Sequence, residues 1–368
     1  MDSILFASFL SFIVAFFSIP LVIKVADLKQ IFDHPGIRKV HFVPIPSLGG
    51  IGIYFAISFS VLTMADFSSS PAIQYFAAAS LIIFFLGMKD DILGLSPLKK
   101  FAGQLLAAFI LTYQGHYQLD SFHGFLGVHG LSPLASQVFT YLTIMVVINA
   151  YNLIDGVDGL AGMLGLIATL FFGVVFAIEH DVAHAILAFS SAAGILAFLL
   201  YNFSPARIFL GDTGSLLIGL INAVLVIRFI SIETSSNAIM SFSVAPAVGL
   251  AVLFIPLFDT FRVSVMRVFT GKSPFEPDIN HIHHILLKRG LSHMQVTAIL
   301  SAASMLLLAL AIIAQPLGIN IIFFFLFVIG FIAILFLTFS AGANKYALDS
   351  QSMEGGNIRN RILSKIEQ

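Results

Sequence analysis

The chain is built from long apolar runs separated by short polar stretches. A helix needs about 20 consecutive apolar residues to cross a bilayer. On that scale the pattern predicts eleven helical spans, at residues 3–24, 46–64, 71–88, 99–114, 134–151, 158–178, 182–201, 211–230, 241–261, 296–314 and 319–341. The fourth is short. The first is too long for a cleaved leader and lacks a small-residue cleavage site, so it reads as a retained anchor. The longest polar segments are 25–45, 115–133, 262–295 and the stretch after Gly342, and none reads as a soluble domain. The expectation is an all-α polytopic membrane protein: one multi-span domain over 1–342 and a polar, mobile tail over 343–368.

Composition agrees with the pattern. Of 368 residues, 58% are hydrophobic and 10% charged, whereas soluble domains carry about a quarter charged residues. The absence of Cys excludes disulfides and thiolate metal sites. With no Trp, an interfacial aromatic belt has to be Tyr or Phe. The net charge of -1 gives no basis for a nucleic-acid partner, and none is expected.

The basic residues orient the chain. Of 18 Lys and Arg, 17 fall in the odd-numbered connections and the tail. Arg228, near the far end of the eighth span, is the exception. Cytoplasmic loops carry the basic excess. The N-terminus is therefore expected outside and the C-terminus in the cytoplasm.

Polar clusters interrupt the apolar pattern at the ends of the spans. Asn149 to Met163 reads NAYNLIDGVDGLAGM, with Asn149 and Asn152 three apart and Asp155 and Asp158 three apart. Residues at that spacing share a helix face. Their oxygens suit a hard cation such as Mg²⁺ alongside substrate phosphates. The same residue types also build ordinary turns and caps. A second cluster, MKDDILGLSPLKKFAGQ, holds Asp90, Asp91 and Lys100. Adjacent carboxylates repel unless a cation or proton is shared. A third, NFSPARIFLGDTGSLLIG, places Asp212 at a helix start, where it is either a cap or a metal ligand. The fourth, FEPDINHIHHILLKRG, gathers His281, His283 and His284 beside basic residues. That spacing is not the H-E-x-x-H of a zinc protease and suits anion binding or proton transfer. A fifth piece, RKVHFVPIPSLGG, contains His41. All five fall on the side assigned to the cytoplasm from Lys and Arg. Carboxylates for a metal, cations for anions, and a membrane setting together suggest metal-assisted transfer between a soluble phosphate ester and a lipid.

The Asp pair, the NxxNxxDGxDGLA run, the GDTGS helix start and the HxHH loop, in this order, resemble the polyprenyl-phosphate N-acetylhexosamine-1-phosphate transferases, the family of MraY, WecA and TagO. The resemblance covers about residues 35 to 295. It implies a UDP-N-acetylhexosamine donor, undecaprenyl phosphate as acceptor, UMP as the released product, and Mg²⁺, with Mn²⁺ as a substitute. By motif, Asn152 and Asp212 match the metal ligands. Asp90, Asp91, Lys100 and Asp155 match the catalytic group. Asp158, Asn149, His281, His283, His284 and His41 match substrate contacts, with Asp158 on the uracil side. The broken histidine run is similar to the WecA and TagO branch, which takes simple UDP-sugars, with UDP-GlcNAc first. A muramoyl-pentapeptide donor is the alternative within the family. A bacterial inner-membrane location, a role in starting an envelope polysaccharide, and compatibility with a homodimer are further implications. A secondary transporter is the alternative from another class. It would place its acids near the bilayer midplane, whereas here they bunch at the span ends.

Overall fold

A computed structural model describes residues 1–31, 45–232, 242–271 and 280–337. The polar tail over 343–368, and His41 with its basic loop, lie outside the described residues. Thirteen α-helices carry the described fold: α1 Asp2–Lys29, α2 Gly49–Met64, α3 Pro71–Leu93, α4 Pro97–Phe109, α5 Pro133–Ile154, α6 Leu160–Ile178, α7 Val182–Asn202, α8 Gly211–Ile232, α9 Ala245–Val252, α10 Phe254–Phe269, α11 Ile282–Leu287, α12 His293–Ile313 and α13 Ile319–Leu337. A π-turn, Ile110–Gln114, extends α4. A small antiparallel hairpin, β1 Ser121–Phe125 and β2 Val128–Gly130, is the described strand pairing.

The bundle is organised around α8. Its apolar residues are buried on all sides, and α2, α3, α5, α6, α7 and α9 all pack against it. Such an all-round apolar helix belongs in the middle of a bundle. By contrast α1 and α13 leave most of their apolar surface outward, as helices facing lipid do. The chain is thus an all-α polytopic membrane protein.

Among the described residues every expected span contains a helix, yet three depart from a straight crossing. The ninth, expected at 241–261, is two helices, α9 and α10, bent by 82° across Leu253. Pro256 lies in the first turn of α10. A proline has no N–H for the preceding turn and disfavours helix in the residue before it, so the break falls just upstream. Among the described residues, eight helices are long and apolar enough to cross a membrane, or nine counting this bent pair. The second and fourth expected spans correspond to α2, with 16 residues, and α4, with 13 before its π-turn. A 16-residue helix is about 24 Å long, short of a ~30 Å hydrocarbon core. The N-terminus of α2 sits inside the protein instead: Gly49 and Gly50 donate their N–H groups to Phe209 and Leu210 just ahead of α8. Gly50 packs so closely on the backbone of Gly214 that no Cβ fits there.

Candidate active site at the helix ends

The end of α3, the start of α4, the end of α5 and the start of α8 meet at one point. Helix α3 stops at Gly94, whose left-handed backbone (φ 68°) lets its N–H reach the Asp90 carbonyl. The Asp90 carboxylate accepts from the Leu95 N–H at 2.6 Å through Oδ1. Its Oδ2 forms an ion pair with Lys100 Nζ at 2.7 Å. The same ammonium lies 3.1 Å from Asp212 Oδ2 and 3.3 Å from Asn152 Oδ1. Asn152 in turn donates to Asp212 Oδ1, and to Ser215 Oγ at 3.0 Å.

Asp91 faces a different partner. Its Oδ1 accepts from the Asp212 N–H at 2.7 Å. Its Oδ2 accepts from the Thr213 N–H at 2.9 Å and the Thr213 hydroxyl at 2.6 Å. A side chain from α3 therefore caps the N-terminus of α8, satisfying N–H groups that have no partner within the helix. Gly211, at φ 71°, leads into this cap, and a Cβ there would strike the Asp91 carboxylate and the Ser47 carbonyl.

These groups open onto a cavity of 520 Å³. Asp90, Asp91, Asp155, Asp158 and Asp212 all line it, together with Asn152 and His284. Burial, then the charges of Asp212, Asp91 and Asp158, raise the Asp155 carboxyl well above the usual range. Five carboxylates on one cavity call for positive charge. Lys100 already shows that oxygens of Asp90, Asp212 and Asn152 converge on a cation. The donor set fits Mg²⁺, a hard ion that accepts one or two carboxylates and completes its shell with water and phosphate oxygens. Among the described residues, no group of three or more His or acidic side chains converges as a self-sufficient metal site.

The remaining expected residues divide. Asn149 does not line the cavity: its amide donates to Gln104 Oε1 at 2.8 Å and accepts from Gln104 Nε2 at 3.3 Å, tying α5 to α4 one turn below Asn152 and Lys100. His281 is buried, with Nδ1 2.9 Å from Asp259 Oδ2. Asp259 also accepts from Arg262 at 2.9 Å and from the Ile282 N–H at 3.0 Å, so it anchors the start of the histidine helix. His283 is buried against Gly156, and burial, followed by the neighbouring His284, pushes its imidazole down to about 3. His281 stacks on His283 with ring centroids 5.7 Å apart, and His283 meets His284 at 4.3 Å with the rings tilted by 48°.

Sequence reasoning missed Ser47, Phe209, His293 and Asp259. Ser47, Phe209 and His293 line the cavity, and Asp259 orients His281. Asp259 had a signal, being an acid inside an otherwise apolar run. His293 had none, because its partner is 135 residues away.

Buried helices with carboxylates, amides and one lysine gathered at their ends define a polytopic membrane protein with one polar cavity where those ends meet. Residues 73–230 match the family described as Glycosyl transferase family 4. The chain is 32% identical over 310 residues to a decaprenyl-phosphate N-acetylglucosaminephosphotransferase of Mycobacterium leprae, covering 78% of each chain. It is 33% identical over 310 residues to the Mycobacterium tuberculosis protein of the same name, covering 78% of this chain and 76% of that one. To an undecaprenyl-phosphate alpha-N-acetylglucosaminyl 1-phosphate transferase of Escherichia coli O157:H7 it is 29% identical over 298 residues, covering 79% and 78%. The chain belongs to glycosyl transferase family 4.

Proposed function

We propose that this protein transfers N-acetylglucosamine 1-phosphate from UDP-N-acetylglucosamine to a polyprenyl phosphate, releasing UMP. The observation that carries this reading is the single ammonium of Lys100 held among Asp90, Asp212 and Asn152 on a cavity of five carboxylates. The names of the relatives supply the sugar and the lipid class.

The acceptor phosphate oxygen attacks the β-phosphorus of the nucleotide sugar. The bond from that phosphorus to the bridging oxygen breaks, and its electron pair leaves with UMP. A phosphate monoester has a second pKa of about 6, so the acceptor is largely ionised at neutral pH and needs no strong base. Both reactants are anions, and the difficulty is to hold them together. Lys100 contacts phosphate oxygens, and Asp90 fixes its ammonium in place. Asp212 and Asn152 would hold Mg²⁺ (Mn²⁺ substituting), which would supply positive charge against the diphosphate. Asp155 stands between this cluster and Asp158, which meets the nucleotide. His284 meets the donor from the cavity lining, with His283 packed on it and His281 packed on His283.

The basic-residue asymmetry supports eleven spans with the N-terminus outside and this site at the cytoplasmic face of a bacterial inner membrane. A simple UDP-sugar is favoured over a muramoyl-pentapeptide donor by the broken histidine run His281-Ile282-His283-His284 and by the relatives named above.

The test is transfer of label from UDP-[¹⁴C]GlcNAc into an organic extract by purified protein with polyprenyl phosphate and Mg²⁺. Label should enter the lipid phase with the native chain, and Asp212→Asn should lower the rate about a hundredfold or more. Lipid labelling by Asp212→Asn at the native rate would overturn the assignment.

A further inference from the structure

Asp158 is held differently from the other four carboxylates of the cavity. Its Oδ2 lies 3.1 Å from Nδ1 of His293, the first residue of α12. The Asp158 N–H is 3.4 Å from the same nitrogen. The Asp158 N–H donates to that nitrogen, so Nδ1 is the accepting nitrogen of the ring. One turn further along α12, the Thr297 hydroxyl donates to the Asp158 carbonyl at 2.8 Å. Side chains four apart on a helix lie on one face. The two residues therefore grip the backbone of Asp158 from a single face of α12, His293 by its N–H and Thr297 by its carbonyl.

The rest of the turn is braced from the other side. Gly159, at φ 78°, donates its N–H to Asn202 Oδ1 at 2.7 Å, and Asn202 donates to the Ile208 carbonyl at 2.8 Å. The start of α12 is itself fixed by a reciprocal cap, in which Ser292 and Gln295 each bond the other's backbone N–H. A residue so held by its backbone keeps its carboxylate for a ligand. An ionised carboxylate only accepts, so it repels phosphate and suits an N–H or O–H donor. In a UDP-sugar, that means the ring imide of the base or a ribose hydroxyl, at the end of the ligand away from the Lys100 cluster.

We propose that His293 and Thr297 are positioning residues for donor binding: α12 aims Asp158 at the nucleoside of the UDP-sugar and so sets its affinity. This inference rests on the reading of the site given above. It also accounts for His293 lining the cavity nine residues beyond His284, at the start of the helix that follows α11. One helix start joins the histidine segment to the nucleotide carboxylate.

The experiment compares His293→Leu, His293→Asn and Thr297→Val in the purified full chain. UMP release gives kcat and KM for each substrate, and calorimetric titration with UDP gives affinity without turnover. His293→Leu should raise KM for UDP-GlcNAc and Kd for UDP together, by about tenfold, as expected for losing the hydrogen bond that holds the Asp158 backbone. The kcat should stay within about threefold, and KM for polyprenyl phosphate should not move. His293→Asn, which keeps an acceptor oxygen close to the position of Nδ1, should recover most of the affinity, and Thr297→Val should weaken UDP binding in the same direction. Unchanged KM and Kd in His293→Leu, a loss confined to kcat, or equal defects in the Asn and Leu variants would overturn the proposal. Should His293→Leu fail to fold, His293→Asn and Thr297→Val carry the same comparison. A native chain that binds UDP but releases no UMP would overturn the transferase reading, while the titrations would still decide the role of His293.

Discussion

At the scale of single residues, neighbours in sequence divide their work. Asp90 and Asp91 are adjacent, yet one fixes the Lys100 ammonium and the other caps α8 with both oxygens. The sequence showed a pair of acids that needed positive charge nearby, but not that one would find it as the N–H groups of a distant helix. Asparagine is also a good cap. Asp91→Asn should therefore retain most of the stability of the native chain, whereas Asp91→Ala should lose about 1–3 kcal/mol. Thermal unfolding in detergent reads the difference, and equal midpoints for the two variants would refute the capping role. His283 gives a pH signature. Its folded value of about 3 lies below the ~6.5 of an exposed imidazole. Between those values the unfolded chain binds a proton that the folded chain does not. Stability should thus fall as pH drops below about 6.5, by at most ~1.4 kcal/mol per unit from this group, and be flat above it. In His283→Gln the slope between pH 6.5 and 5 should shrink by about one proton, and an unchanged slope would remove His283 as its source.

At the scale of elements, periodicity and length located the helices well because each span is long and apolar. What they could not convey was the relation between helices. The apolar run over 241–261 reads as one span, and only the position of Pro256 hints at the 82° break above α10. Likewise the Asn149–Gln104 pair looks like part of a site in the sequence, but in the fold it sets α5 against α4. The far ends of α7 and α8 show a separate polar device. Arg228 pairs with Asp181 at 2.8 Å, Asp181 with His184 at 2.8 Å, and His184 with the buried Tyr117 hydroxyl at 2.9 Å. Burial would raise Asp181, but His184 and Arg228 together bring its carboxyl well below the usual range. Arg228 lies sixteen residues beyond Asp212 on α8, about 24 Å along the helix. This clasp is remote from the cavity. Arg228→Ala should therefore lower thermal stability modestly and leave turnover within about twofold, since a half-exposed ion pair contributes ~1 kcal/mol or less. A large loss of kcat in a normally folded Arg228→Ala would place that end of α8 in the reaction.

At the scale of the whole molecule, five polar clusters scattered over some 250 residues of sequence become one problem of packing. The four clusters within the described residues converge because α8 is buried along its length and its N-terminus is the hub: α3 caps it, α2 packs on its glycines, and α5 brings Asn152 to its first turn. The sequence made the family and the composition of the site legible through its motifs. The three-dimensional order, with Lys100 bridging Asp90 and Asp212 and with Asp158 held by His293 and Thr297, depended on contacts up to 139 residues apart. The most direct measurement is UMP release by the purified chain with polyprenyl phosphate and Mg²⁺, given UDP-GlcNAc, UDP-GalNAc and UDP-MurNAc-pentapeptide in parallel. UMP released from UDP-GlcNAc, dependent on both the lipid and Mg²⁺, is the predicted result. Release from the pentapeptide donor alone, or none from any donor by well-folded protein, would contradict it.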